Sequence, residues 1–303
     1  DANVISYDPS SFLVVFRVNG RNTKLIAVPI LCLTVWGIFW ASVVHLYPSV
    51  GKALAPLEDL IAPLLLPVSF LLVFRLGRAA VRYWDARAAM GKVVETCRTA
   101  SSTAAVACLN GGGTKAPTDT DGKTVPATEL LDSFACWLCV FPIAVKNFLQ
   151  PPNRRGWDPK SRRNKRRFEL GPLLNDEDAN ELLDPPTPDY AHGPMLVLSR
   201  LRFLAHCISI RKGSAEDAAV RSMVYHQLNN HIDVLTGSWG AMERINATPL
   251  PFVYVVHLRT FLMLYLVLWH LEAVAVNGWV AMPALFAGSW ALLGIEAAAV
   301  ECE

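Results

Sequence analysis

Apolar and polar positions divide the chain into long uncharged runs separated by charged stretches. From Leu25 to Leu46 no residue carries a fixed charge, and the run matches the roughly 20 residues that span a bilayer as a helix. A second apolar run, Leu60 to Phe74, follows Glu58-Asp59 and contains Pro63 and Pro67. It passes without a turn signal into Arg75, Arg78, Arg82, Arg87 and Lys92. The expectation is one long, proline-broken helix over 60–98 that begins in the membrane and leaves it. A third run, within 249–271, holds His257, Arg259 and His270, and a fourth, 273–295, is interrupted mainly by Asn277. The pattern therefore predicts an all-α membrane protein with four membrane segments.

Between the second and third runs the pattern changes. The region 99–248 is too large for a loop and predicts a packed helical body outside the bilayer. Residues 129–150 predict a buried helix there, and 195–210 and 214–243 predict two amphipathic helices. Two stretches are expected to be flexible. Residues 110–128 are rich in Gly, Thr, Asp and Pro. Residues 151–189 combine a basic loop ending at Arg167 with an acidic, proline-rich tract. The whole chain, 1–303, reads as a single domain.

Composition agrees with this division. Charged residues make up 18% of the 303 residues and hydrophobic ones 52%, against about 25% charged in soluble domains. Net charge is only +2, so overall balance names no acidic partner, but local charge is uneven. Arg17, Arg21 and Lys24, the arginines after Phe74, and the 154–167 cluster fall on one side of a four-span topology. The positive-inside bias makes that side the cytoplasm or its equivalent, with both termini there. The basic cluster has little aromatic interleaving, so a solvated or lipid-facing role is expected in preference to nucleic-acid binding. The sequon Asn246-Ala-Thr248 lies on the inner side in this topology and is expected to be unmodified.

Enzyme signatures are absent: no phosphate-cradling loop, no H-E-x-x-H, no nucleophile elbow. Seven cysteines occur without framework spacing, Cys136 and Cys139 being the single C-x-x-C, and a structural or free-thiol role is expected. No metal site is expected. His226 and His231 are the nearest histidine pair, but their five-residue spacing does not place both on one helix face.

The informative pattern is a stripe. Leu66, Phe70 and Phe74 recur at steps of four and share a helix face, which continues through Arg78 and Arg82. One face changes from bulky apolar to cationic as the helix leaves the membrane. Two readings are open: a core stripe with a solvated basic end, or a narrow hydrophobic neck opening into a positive vestibule when repeated around an axis. Arg75 and Arg78 are correspondingly either vestibule anion attractors or ion-pair partners of acids in the extramembrane body. Arg259, an ionisable group within a span, is a functional candidate. Pro63, Pro67, Pro249 and Pro251 break helices where two spans enter the bilayer, as simple kinks or as helix starts that offer backbone N–H groups to an anion.

Three segments together carry a family resemblance. PVSFLLVFR (67–75) followed by RYWDAR (82–87) resembles the second-helix pattern of bestrophins, F-L-x-F-R…Y-x-R-W-W-E-A-R. TPLPFVY (248–254) with His257-Leu258-Arg259 resembles that family's P-I-P-L-x-Y…H-L-R. Gly294-Ile295-Glu296 through Glu303 resembles its tail, after which an N-P-F motif follows in the family, so further chain is expected beyond Glu303, as a processed or trimmed start is expected at Asp1.

The resemblance implies a homopentamer around one central pore that conducts anions, with chloride as the permeant ion. It places the neck at Leu66, Phe70 and Phe74, and a second constriction at Met223, with Val220 and Gln227 as open alternatives. Membrane lipid, anions and further copies of the chain are the implied partners; no nucleic acid and no resident cofactor is expected. Calcium dependence is left open, because the family's acidic cluster lies beyond the N-P-F motif. Long basic and 110–128 segments suggest a plant or algal lineage, hence a thylakoid membrane, with plasma and bacterial inner membranes also open. Two alternatives stand beside the chloride channel: a bicarbonate-conducting variant, and a non-conducting membrane scaffold that docks a soluble partner.

Overall fold

The computed structural model describes residues 23–109, 127–150, 159–183, 193–210 and 218–302. All regular structure among the described residues is helical: α1 (Thr23–Leu46), α2 (Pro48–Leu54), α3 (Glu58–Ile61), α4 (Leu65–Leu109), α5 (Ala127–Leu149), α6 (Pro159–Leu170), α7 (Asp176–Leu183), α8 (Gly193–Ile210), α9 (Ala218–Ala247), α10 (Phe252–Asn277) and α11 (Met282–Cys302). The chain divides into two compact units, one of residues 1–84 and 249–303, the other of 85–248. The helical body thus begins at Asp85, within α4, and not near residue 99.

In the first unit α1 packs on α10 and α11. Ile26, Ile30, Leu33 and Ala41 turn inward at helical spacing and meet Leu258, Leu262, Leu266, Val274 and Leu285. The opposite face of α1 is equally apolar and exposed, with Val28, Leu31, Val35 and Phe39 outward. A helix apolar on both faces belongs in lipid. The runs Leu25–Leu46, Pro48–Cys108 and Phe252–Cys302 each contain stretches long and apolar enough to cross a membrane. Small residues let these helices approach. An added Cβ at Gly37 would lie 3.1 Å from His270 Cδ2 and from the Met282 side chain. Gly288 sits under the Trp269 indole. Trp36 Nε1 donates to the Val267 carbonyl at 3.2 Å, tying α1 to α10.

Three boundaries differ from the sequence expectation. The proline break lies ahead of the long helix. Pro63 stands in a single 3₁₀ turn, Ala62–Leu64, and Pro67 in the first turn of α4, where its missing N–H costs little. From there α4 runs uninterrupted to Leu109. The last two spans meet at a 3₁₀ turn, Gly278–Ala281, and not at Glu272. Gly278 has φ 57°, the left-handed region that glycine reaches without a Cβ penalty. Finally, part of the expected loop 151–189 is helical, as α6 and α7. Arg166 Nη2 donates to the Asn147 carbonyl at 3.0 Å, Lys146 pairs with Glu169 at 2.6 Å and Arg167 with Asp176 at 2.9 Å. The α6 arginines are therefore partly spent on holding their own helix. The expected loop 110–128 lies almost wholly outside the described residues.

The second unit has its own core, in which α5, α8 and α9 converge on the second part of α4. Phe134, Phe141, Leu201, Ile208, Leu228 and Leu235 are fully enclosed there. The runs Thr128–Leu149 and Gly193–Ile210 are also long and apolar enough to cross a membrane, but Phe134, Trp137 and Phe141 of the first and Val197, Leu201 and Ile208 of the second are buried in this core. We therefore assign the membrane segments to the first unit.

Gly288→Ala places a Cβ against the Trp269 ring, 2.8 Å from Cζ3, and is expected to destabilise by about 1–3 kcal/mol. Gly294→Ala, in the same helix but with open space at its Cβ, is expected to be neutral or mildly stabilising. Thermal unfolding of the two detergent-solubilised variants measures the contrast.

Candidate functional site

The first turns of α4 have two distinct faces. Val68, Leu72, Arg75 and Ala79 are buried, at alternating steps of four and three. A turn of 100° per residue then sends Leu66, Phe70 and Phe74 outward, and they are 67%, 55% and 63% exposed. The two phenyl rings stack with centroids 6.3 Å apart. Ala62, Pro63, Leu65, Leu66, Ser69, Phe70 and Val73 line an open groove of about 450 Å³. Arg78 continues the row and is exposed. The sequence stripe is thus a continuous bulky face that the described residues leave uncovered, ending in a cation. Among the described residues the row is therefore not a core stripe.

Arg75 departs from expectation. It is 0% exposed, so it is enclosed by its own unit and presents no charge to an open vestibule. It pairs with Glu296 of α11, with Nε 3.3 Å from Oε2. The other carboxylate oxygen, Oε1, accepts from Arg259 Nε of α10 at 2.7 Å. One buried carboxylate, its side chain 8% exposed, therefore bridges two arginines from two other helices. Arg259 is the outer member, its side chain 49% exposed.

Sequence reasoning flagged both arginines but gave Glu296 no role beyond its place in a tail motif. The signal was available. An acid within a span is costly alone, and two arginines in neighbouring spans require a counter-charge. The assignment needed the knowledge that residues more than two hundred apart in sequence meet.

The remaining candidates are more dispersed. Pro249 and Pro251 are exposed in the non-helical segment ahead of α10, and Pro251 caps that helix with φ −54° and ψ 124°. The 251 carbonyl accepts from Val255 N at 3.3 Å, while the first turn of α10 opens with the highly exposed Phe252 and Val253. Met223 lies in the second unit, near the start of α9, and is exposed beside Val220 and Gln227. All three stand off the buried face that Leu228, Ile232 and Leu235 define. Among the described residues no group of three or more His, Cys, Asp or Glu could hold a metal ion. Cys136 and Cys139 are free thiols.

Removing the shared carboxylate by Glu296→Ala takes one counter-charge from the buried Arg75, and is expected to cost about 3–5 kcal/mol. Asp176→Ala, which breaks the exposed pair with Arg167, is expected to cost at most about 1 kcal/mol. The shift in detergent melting temperature reads both.

Known proteins agree with this architecture. The chain resembles a voltage-dependent anion channel-forming protein of Nostoc sp. (strain PCC 7120), 26% identical over 96% of this chain and 82% of the relative. A protein of the same description from Synechocystis sp. (strain PCC 6803) is 24% identical over 82% of this chain and 69% of its own length. Among solved structures, a bacterial bestrophin homologue from Klebsiella pneumoniae superposes with a TM-score of 0.69 at 20% identity, covering 92% of this chain and 88% of the other. The family model for bacterial and fungal bestrophin proteins matches residues 3–303. The chain therefore belongs to the bacterial/fungal bestrophin family, and its membrane unit carries that family's helices.

Proposed function

We propose that the protein is an anion channel, assembled from five copies around a central axis, with Leu66, Phe70 and Phe74 of each copy forming a hydrophobic neck. The observation that carries this reading is the exposed row on α4. Three bulky apolar side chains point away from a packed helix face in a segment that crosses the membrane, and the next outward residue is the cation Arg78. Ringed around an axis, such a row narrows a water path, and a ring of Arg78 beyond it gives the path a positive field. A constriction of this kind favours ions that shed water readily. The names of the Nostoc and Synechocystis relatives, anion channel-forming proteins, support the same reading.

The reading assigns chloride as the permeant ion, with bicarbonate as the competing one, and calls for no catalysis and no resident cofactor. Calcium sensitivity is open to direct measurement. Met223 is the proposed second constriction, supported by its exposure on a helix face that its own unit leaves uncovered. Partners are membrane lipid, anions and further copies of the chain. A thylakoid membrane is the proposed location. The cyanobacterial sources of the two relatives support a photosynthetic lineage, and fit a bacterial membrane as well.

In a planar bilayer under a chloride gradient, the wild-type current is expected to reverse near the chloride potential. Phe70→Ala with Phe74→Ala widens the neck, and is expected to raise conductance and weaken discrimination among anions of different size. A cation-selective reversal would overturn the anion reading. Silence from a correctly assembled protein would favour the docking scaffold.

A further inference from the structure

We propose that Cys97 of α4 and Cys139 of α5 are a disulfide-forming pair, a modification site in the second unit that a low-molecular-weight disulfide closes and a dithiol reopens. The inference concerns that unit alone and stands apart from the channel reading.

Three observations lead there. The first is a proline inside a helix. Pro142 lies within α5 and has no N–H, so the carbonyl one turn earlier, that of Leu138, lacks the donor an α-helix would supply. Leu138 is buried, and a buried carbonyl needs a partner. The second observation is the group that serves it. Cys97 Sγ donates to the Leu138 carbonyl at 3.7 Å, from α4 across to α5. That carbonyl belongs to the peptide joining Leu138 to Cys139. Standard peptide geometry then puts the Cys97 sulfur within about 6.5 Å of the Cys139 Cα. A disulfide joins Cα atoms roughly 4.4–6.8 Å apart. The two helices touch at this point, and closure calls for a local adjustment, not a rearrangement of the unit.

The third observation is an asymmetry between the thiols. Cys139 is exposed, whereas Cys97 is half-buried, with the fully enclosed Val93 and Ala100 one turn to either side. Burial pushes the Cys97 thiol up to about 11, and the neighbouring Cys139 pushes it the same way. Cys97 therefore stays protonated and keeps its donor role in the reduced protein, while Cys139 meets a reagent first.

The exchange balances. Cys139, as thiolate, attacks one sulfur of glutathione disulfide and expels a glutathione thiolate. Cys97 loses its proton to water, attacks the Cys139 sulfur of the mixed disulfide and expels the second glutathione thiolate. Both cysteines are oxidised, one glutathione disulfide is reduced to two thiols, and the two protein protons end on the released thiolates. Closure removes the S–H that served Leu138 and replaces it with a covalent tie between the same two helices.

The test treats the full chain, purified in detergent, with glutathione disulfide, blocks remaining thiols with N-ethylmaleimide and maps peptides without reduction. A linked pair of peptides carrying Cys97 and Cys139 is expected, with both thiols lost to the reagent and both recovered after dithiothreitol. Cys139→Ser, a change at an exposed position, and Cys97→Ser are each expected to abolish the link. Cys97→Ser retains a hydroxyl donor for the Leu138 carbonyl and is expected to melt near the wild-type temperature, with Cys97→Ala melting lower. Equal melting of these two variants overturns the donor role on which the pairing rests. A Cys136–Cys139 bond, a bond between copies through Cys139, or a lasting glutathione adduct at Cys139 with Cys97 still reduced overturns the proposal.

Discussion

A single carboxylate inside the membrane unit governs the rest of that unit. Glu296 takes two arginines from two other helices. Each of the three charges would be expensive alone in an apolar surrounding, and together they are tolerable only in one geometry. Hydrophobic burial cannot supply that geometry, because it is non-directional and lipid competes with every apolar contact. The trio therefore fixes what packing leaves loose. With Arg75 turned inward to Glu296, the rotation of α4 about its axis is set, and Phe70 and Phe74 have no direction left but outward. The apolar row is exposed as a consequence of where one cation had to go.

The other helices of the unit follow simpler rules. α1 buries one apolar face and exposes another, and α10 and α11 do the same with Leu264, Phe286 and Trp290 outward. Close approach is obtained with glycine, at Gly37 against His270 and at Gly288 under Trp269. These contacts depend on shape, whereas the trio depends on charge. The second unit differs in kind. Its apolar side chains go into one shared core, and its surface pairs, such as Arg200 with Glu181 at 2.8 Å and Arg202 with Asp233 at 2.6 Å, are solvent-exposed and individually weak.

How much was legible in the sequence follows from the range of each interaction. The row Leu66, Phe70, Phe74 was legible because helical periodicity is local, and so were the four membrane runs and the amphipathic helices of the body. The turn at Gly278 was legible too, through the Asn277-Gly278 pair, but the charge at Glu272 was a more conspicuous landmark and drew the boundary away from it. The helix α6 was hidden by its own composition: a run of arginines and lysines reads as solvated, and only Asn147, Glu169 and Asp176 show what orders it. Glu296 was hidden by distance. Nothing in the residues around it announces that its two partners lie on other helices.

The same trio explains why the stripe on α4 changes character where it does. An apolar row alone would pass neither ion well, and a cationic row alone would bind an anion too firmly to release it. Here the two properties occupy one helix face in sequence, with Phe74 ending the first and Arg78 beginning the second. Were Arg75 exposed as well, the mouth would gain a second fixed charge beside Arg78. Burying it against Glu296 removes that charge from the surface while retaining its hold on the helix. Glu296 thus does two things at once: it offsets the charge of a buried cation and holds the half-exposed Arg259 of a third helix. A neutral residue at that position would do neither. The identity of this one side chain is consequently tied to the helix rotation and to the electrostatics at once, which is why neither can be altered without the other.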